Sequence, residues 1–105
     1  MAAERGRDVI LMGLEVTDDA SYARYRARMT PILESHGGSF GCDFVVAKVL
    51  KGPSARLNRV FTISFPDRMT RERFFANPRY REVRAEHFEP AVARAIVLAE
   101  FGGET

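Results

Sequence analysis

The stretch Pro31-Ile32-Leu33-Glu34-Ser35-His36-Gly37-Gly38-Ser39-Phe40 decides the fold, because it ends one amphipathic helix and opens an apolar strand. Its glycine pair is a strong helix stop, since glycine adopts the left-handed backbone conformation at little cost. Pro31 falls inside the helical pattern, where its missing N–H is expected to kink or break the helix. The stretch therefore predicts a junction between a helix and a strand.

The segment before this junction has helical periodicity. Large side chains recur at steps of three and four residues, and one helix face carries Tyr22, Tyr25, Met29, Ile32, Leu33 and His36. Thr17-Asp18-Asp19 supplies a helix cap. Residues 8–16 are nearly all apolar, as in a strand covered on both faces. The first third of the chain thus predicts a strand followed by a helix.

The segment after the junction predicts three strands and a second helical region. Residues 39–51 are expected to form a long strand whose apolar phase slips, which indicates a β-bulge or two covered faces. A turn follows at Gly52-Pro53-Ser54. The remaining predicted elements are a strand over 59–65, a helix from Pro66-Asp67 that restarts at Asn77-Pro78 and ends at Pro90, and a strand over 94–101.

The order strand, helix, strand, strand, helix, strand predicts an α+β, ferredoxin-like fold. Such a fold has a four-stranded antiparallel sheet with the helices on one face. The opposite face is too apolar to remain in water, and an apolar patch of that size marks an interface. We therefore expect a homodimer in which two copies pack sheet to sheet.

Length and charge place the chain in a broad class. Its 105 residues make one domain over 8–105, after a polar tail at 1–7 that is expected to be flexible. The net charge is only +2, and cations alternate with acids along the predicted helices. That is a solvated mixed surface, which argues against nucleic-acid binding. No apolar run is long enough to span a membrane, so a cytoplasmic protein is expected.

The chain offers little for metal or cofactor chemistry. Cys42 is the only cysteine, which excludes an internal disulfide, and its position in a strand-like run favours a small structural hydrophobe over a nucleophile. No ligand cluster suits zinc or an iron–sulfur centre. Haem is a third hypothesis, but a clearly placed axial ligand is lacking. We predict no cofactor and no metal.

An ordered set of residues over about 9–100 resembles the bacterial domain-of-unknown-function family 1330, within the dimeric α/β-barrel superfamily. The residues that carry the resemblance are Tyr25, Pro31, His36-Gly37-Gly38, Arg59, Phe65-Pro66, Asn77-Pro78, Tyr80 and Val97-Leu98-Ala99-Glu100. The resemblance implies a ferredoxin-like fold paired into a dimeric barrel, with no established reaction to carry over. The chain departs from the family pattern at Lys51-Gly52, where Glu-Gly is common, and at His87, where arginine is common.

Two histidines are candidate site residues. His36 ends a helix, where it either caps the last turn or acts as an acid–base group. His87 lies on a predicted helix face and is either a half-exposed surface residue or a ligand contact.

Tyrosine, arginine and glutamate supply the other candidates. Tyr25 and Tyr80 lie on inward-looking faces, as structural anchors or as phenols that line a cleft between helices and sheet. Arg59 opens a strand, as a salt-bridge partner or as a clamp for a substrate carboxylate. Glu15 and Glu100 interrupt two strands that are expected to be central and adjacent, where they either reach water or handle protons.

Two functions remain open at this point. In the first, Tyr25, His36, Arg59 and Tyr80, with His87 nearby, form a metal-free pocket for a small organic metabolite such as an aromatic or carboxylated one. His36, Glu15 and Glu100 are then the weak catalytic candidates. In the second, the chain is a non-catalytic dimeric module for ligand sensing or protein interaction. A convergent polar cluster in a closed cavity would favour the first.

Overall fold

Four antiparallel strands form one sheet in the computed structural model, which describes residues 7–102. The strands are β1 (Asp8–Val16), β2 (Ser39–Val45), β3 (Arg59–Phe65) and β4 (Val92–Gly102), in the spatial order β2-β3-β1-β4. The helices are α1 (Asp19–Ser35), α2 (Arg68–Ala76) and α3 (Pro78–Val83), which continues into a π-helical turn at Arg84–Phe88. The predicted ferredoxin-like α+β fold is confirmed, with β1 and β3 as its central strands.

The junction after α1 forms as the sequence predicts. Gly37 has a φ of 76°, and its N–H donates to the carbonyl of Glu34 at 2.9 Å while that of Gly38 donates to Leu33 at 3.0 Å. This pair of bonds is a Schellman motif. Pro31 does not break α1, which continues to Ser35. The residues beyond the proline, Ile32 and Leu33, are buried in the core, and their packing holds the last turn in place.

Asx side chains cap the helices at the predicted starts. The Oδ1 of Asp18 accepts the N–H of Ser21 at 3.0 Å, and that of Asp67 accepts the N–H of Thr70 at 2.8 Å. Asn77 Oδ1 accepts two backbone N–H groups of the first turn of α3. These bonds satisfy helix N–H groups that have no carbonyl partner of their own.

The second strand is shorter than expected. The prediction of a strand over 39–51 is wrong beyond Val45. The pairing of β2 with β3 ends at Val45–Arg59, and one further backbone hydrogen bond follows, from the Val46 N–H to the Asn58 carbonyl at 2.9 Å. The expected irregularity is present as a register shift between Phe40 and Asp43. Cys42, which the sequence predicts to be a small structural hydrophobe, is exposed on this edge strand.

The two faces of the sheet differ in what covers them. The helices cover one face, and the core between them contains Ile10, Leu14, Phe61, Ile63 and Phe65 from the central strands. The opposite face, which we call the far face, consists of the alternate side chains Val9, Leu11, Val60 and Thr62 with the flanking Phe44 and Phe101. Within residues 7–102, no helix is long and apolar enough to cross a membrane.

The tail prediction falls almost entirely outside the described residues, which exclude 1–6 and 103–105. Arg7 is the exception, and it is anchored. Its guanidinium donates to Ser64 Oγ at 3.0 Å and to the Gly37 carbonyl at 3.4 Å, so it ties the start of β1 to the junction after α1.

Candidate functional site

The two tyrosines that the sequence placed on inward faces meet. Tyr25 on α1 and Tyr80 on α3 have their hydroxyl oxygens 2.9 Å apart, and their side chains are buried. Two bonds to Asn77 fix the first turn of α3 and thereby the direction of Tyr80. A buried phenol normally needs such a partner, which each tyrosine supplies to the other.

Tyr25 and Tyr80 both line a cavity of about 100 Å³ between the helices and the sheet. Its other walls are almost entirely apolar or aromatic. They are formed by Ile10, Met12, Leu14, Tyr22, Met29, Phe40, Phe61, Ile63, Phe75, Arg84, Phe88 and Ala95. A few polar groups in an apolar cavity are typical of small-molecule sites.

Both tyrosines are neutral at physiological pH. Burial raises the pKa of Tyr25 well above its usual range, and the adjacent Tyr80 raises it further. Burial also raises the pKa of Tyr80. The Arg84 charge acts in the opposite direction on both groups without overcoming burial. Neutral phenols can donate a hydrogen bond to a bound oxygen atom, but they are poor bases.

The π-helical turn at Arg84–Phe88 shapes the entrance to the cavity. In an α-helix, four residues rotate about the axis by a full turn plus about 40°. In the wider π-helix, four residues rotate by less than a full turn. The π turn therefore brings Phe88 back into line with Tyr80 and Arg84, and all three line the cavity. The Arg84 guanidinium lies 4.8 Å from the centre of the Phe88 ring, within cation–π range.

A more open hollow of about 500 Å³ adjoins this entrance and shares three of its residues. Phe75, Tyr80 and Arg84 line both spaces, while Arg81 and Glu89 line only the hollow. Arg84 Nη1 lies 3.1 Å from Glu89 Oε2. Arg84 was not among the site residues predicted from the sequence, although the four-residue spacing of Tyr80, Arg84 and Phe88 was an available signal.

Arg59, predicted as a site residue, lies in a different cluster. Its Nε and Nη2 donate to the two carboxylate oxygens of Asp43 at 2.8 and 3.0 Å. Arg26 donates to the same carboxylate at 2.7 Å. Hydrogen bonding by Arg59, with the charge of Arg26, lowers the pKa of Asp43. Tyr22, whose ring lies 5.2 Å from the Arg59 guanidinium, stands between this cluster and the cavity.

His36 caps α1 and does not line the cavity. Its Nδ1–H donates to the Ile32 carbonyl at 2.9 Å, and its ring lies edge-on to Phe74 at 5.7 Å. These contacts agree with the capping interpretation. Because His36 is not part of the cavity wall, it does not face the space that Tyr25 and Tyr80 line.

His87 is buried, with 7% of its surface exposed, rather than half-exposed as one interpretation had it. Its backbone carbonyl accepts the Ser21 hydroxyl at 2.8 Å, which joins the π turn to α1. Its Nε2 has no hydrogen-bond partner within residues 7–102 and lies 3.8 Å from Glu86. It is not part of the cavity wall.

The two glutamates lie apart from each other and from the cavity. Glu15 is on the far face, opposite Arg94 in the pairing of β1 with β4. Glu100 accepts a hydrogen bond from Arg71 at 2.9 Å. The expectation that both strands are central is wrong for β4, which is an edge strand, and water therefore reaches Glu100.

Arg71 links Glu100 to a buried carboxylate. Asp8 is fully buried at the start of β1 and accepts hydrogen bonds from Arg68 at 2.8 Å and Arg71 at 3.0 Å. This network attaches α2 to the sheet. Within the described part of the chain, no three His, Cys, Asp or Glu side chains are grouped as metal ligands would be.

The chain belongs to the family described as domain of unknown function (DUF1330), whose model matches residues 9–101. No curated protein is significantly similar to it. Among solved structures, it resembles the methylated RPA0582 protein of Rhodopseudomonas palustris with a TM-score of 0.81 and 19% identity, over 96% of this chain and 83% of that one.

Two further structures share the fold at lower similarity. A dabb family protein with a ferredoxin-like fold from Mesorhizobium loti has a TM-score of 0.66 and 14% identity, over 92% of this chain and 96% of that one. A dimeric ferredoxin-like protein of unknown function from Thermobifida fusca has a TM-score of 0.57 and 11% identity, over 92% of each chain. At these identities the likeness establishes the fold alone.

Proposed function

We propose that this member of the DUF1330 family binds a small, largely apolar organic molecule in the cavity between its helices and its sheet. The observation that carries the proposal is the Tyr25–Tyr80 hydroxyl pair, formed by two residues that line a largely apolar cavity. Together the two hydroxyls hold two protons and share one hydrogen bond. One O–H therefore remains able to donate to a carbonyl or hydroxyl oxygen of the ligand.

The size of the cavity restricts the ligand. Its volume of about 100 Å³ is below the roughly 300–1,000 Å³ of sites for drug-sized molecules. An apolar cavity of about 150 Å³ holds benzene. The ligand is therefore about one small ring or a short chain, with any polar extension directed to the hollow beside Phe75 and Arg84.

The chemistry of the site favours binding over proton transfer. The phenols are neutral because burial raises the pKa of each. The three catalytic candidates from the sequence, His36, Glu15 and Glu100, do not line the cavity, and neither does His87. A general base must come within hydrogen-bond reach of the proton it removes. These positions support a ligand-binding or sensing role for the single chain.

One neutral probe and a matched pair of variants test the proposal. We expect benzyl alcohol, which combines a ring with one hydroxyl, to bind wild-type protein in a nuclear magnetic resonance titration, with shifts concentrated at the cavity residues. Ala95→Leu places extra carbon in the cavity wall and should abolish binding, whereas Ala93→Leu, on the same strand but outside the wall, should not. Absence of binding to both the wild type and Ala93→Leu would contradict the proposal.

The far face supports a second part of the proposal, a homodimer. Phe44 and Phe101 on this face are 56% and 54% exposed. Leu57, from the connection between β2 and β3, lies over Gly13, and other residues of that connection line a hollow together with Val60 and Leu98. Two copies packed face to face would bury this apolar surface. The related Thermobifida fusca protein is described as dimeric.

Sedimentation equilibrium at micromolar concentration tests the dimer. Phe101→Lys changes an exposed far-face residue and should give a folded monomer. Met69→Lys changes a residue of α2 that is 62% exposed, on the helix side, and should leave the dimer intact. A wild-type protein that is a stable monomer would overturn this part of the proposal, while the cavity would stand.

A further inference from the structure

Arg84 supplies the only charge among the described residues that line the cavity. It lines the adjoining hollow as well, so its guanidinium stands where the closed space opens to water. Arg84 follows Tyr80 by four residues on the same helical segment, and both side chains line the cavity together with Tyr25. The polar end of the cavity therefore combines two neutral hydroxyls with one permanent positive charge.

The present partner of Arg84 is an exchangeable one. Glu89 lies 3.1 Å from the guanidinium, and the two side chains are 60% and 42% exposed, respectively. An ion pair so open to solvent is weak, because water screens both charges. The Phe88 ring supports the guanidinium from one side and holds it at the entrance. A second anion could thus replace Glu89 without a large rearrangement.

The surroundings favour an anion over a neutral group. Arg81 also lines the hollow. The charged residues of its lining are therefore two arginines, Arg81 and Arg84, and one glutamate, Glu89. The cavity wall contains no acidic side chain among the described residues. A carboxylate at the entrance would accept two parallel hydrogen bonds from a guanidinium and a third from a phenol. Its apolar body would point away from water, toward Ile10 and Ile63.

We propose that the ligand is a small carboxylate with an apolar body, whose anionic group displaces Glu89 from Arg84 and accepts a hydrogen bond from the tyrosine pair. The inference rests on the ligand-binding function proposed above and adds the chemical class of the ligand. The anion-binding role that the sequence suggested for Arg59 is here assigned to Arg84. Arg59 instead forms an ion pair with Asp43, on the other side of Tyr22 from the cavity.

Benzoate and benzamide, which differ chiefly in charge, test the inference by isothermal titration calorimetry at pH 7.5. We expect benzoate to bind wild-type protein about tenfold or more tightly than benzamide. Arg84→Gln should lower the affinity for benzoate about tenfold and change that for benzamide less than about twofold. Circular dichroism and amide spectra establish that this variant is folded.

A second variant works in the opposite direction and at an exposed position. Glu89→Gln removes the competing carboxylate and should raise the affinity for benzoate about two- to fivefold. Glu86→Gln removes a similar charge from the same turn, outside the hollow, and should leave the affinity unchanged. Since both positions are exposed, these variants are informative even if Arg84→Gln fails to fold.

The outcomes separate this inference from the proposal on which it rests. If benzamide and benzyl alcohol bind but benzoate binds no more tightly, the carboxylate class is overturned and the cavity stands. Equal effects of Glu89→Gln and Glu86→Gln would also overturn it. If none of the three probes binds, both proposals fail together.

Discussion

The hydroxyl oxygens of Tyr25 and Tyr80 lie 2.9 Å apart although 55 positions separate the two residues in the chain. Each phenol is buried and satisfied by the other. The contact joins α1 to α3 at the wall of the cavity, so it bears on stability and on ligand binding together.

The two single variants of this pair should together lose more stability than the double variant loses. Tyr25→Phe leaves the Tyr80 hydroxyl buried without its partner, and we expect a loss of about 1–2 kcal/mol in the free energy of unfolding. In the double variant Tyr25→Phe/Tyr80→Phe no hydroxyl is left unsatisfied. Urea denaturation of the four proteins should give a coupling energy of about 1 kcal/mol, and additive losses would show that the hydrogen bond contributes nothing.

All three tyrosines should titrate late in the native protein. Burial raises the pKa of Tyr22, Tyr25 and Tyr80 above the ordinary value of 10.0. The contribution of these groups to stability is complete below pH 10 and decreases as the pH rises through the folded-state values, because the unfolded chain loses its phenolic protons first. Absorbance titration of tyrosinate should therefore have a midpoint near 10 in urea and a higher one in buffer. Coincident midpoints would contradict this assignment.

The carboxylate of Asp8 should matter more than that of Glu100. Asp8 is fully buried between Arg68 and Arg71, so Asp8→Asn should cost about 2–4 kcal/mol in the free energy of unfolding. Glu100 is 44% exposed and shares Arg71, so Glu100→Gln should cost less than about 1 kcal/mol. Thermal and urea denaturation of the two variants under one buffer compare them directly. Equal losses would mean that burial does not determine the cost.

Any side chain at Gly37, the helix stop, should lower the stability of the protein. Its φ of 76° is unfavourable for an L-residue, and an added Cβ would meet Pro66 Cγ at 2.9 Å. We expect Gly37→Ala to cost about 1–2 kcal/mol. Gly52→Ala is the control, because that glycine has a negative φ and an added Cβ would make only an ordinary contact with Val49. A Gly37→Ala protein as stable as the control would contradict the Schellman assignment.

His36→Ala should separate the capping role from a binding role. The variant loses the hydrogen bond to the Ile32 carbonyl, for which we expect a cost of about 0.5–1 kcal/mol. Because His36 does not line the cavity, the affinity for benzyl alcohol should be unchanged. Weaker binding with unchanged stability would return His36 to the site.

Local features of the chain predicted most of the fold. The caps at Asp18, Asp67 and Asn77 and the stop at Gly37-Gly38 depend on bonds that close within a few residues, so sequence spacing suffices to identify them. The order of the six elements then restricts the topology to few choices. The family resemblance led to the same fold, and the match of the family model to residues 9–101 confirms the resemblance.

Features that depend on a partner element were predicted less well. The end of β2 follows from where β3 stops offering hydrogen bonds, and the exposure of Cys42 follows from the edge position of β2. Neither fact is encoded in the composition of residues 39–51. The position of Glu100 at an edge strand is of the same kind.

By itself, the sequence determined which faces of the helices turn inward, because a period of 3.6 residues places Tyr25 and Tyr80 on buried faces independently. Only the tertiary structure decided that those two side chains meet while Arg59 turns to Asp43 and His36 caps its own helix. Contact between elements depends on the rotation and offset with which they pack, and these are set by the whole core. Periodicity fixes a direction for each side chain, whereas a site requires several directions to converge on one point.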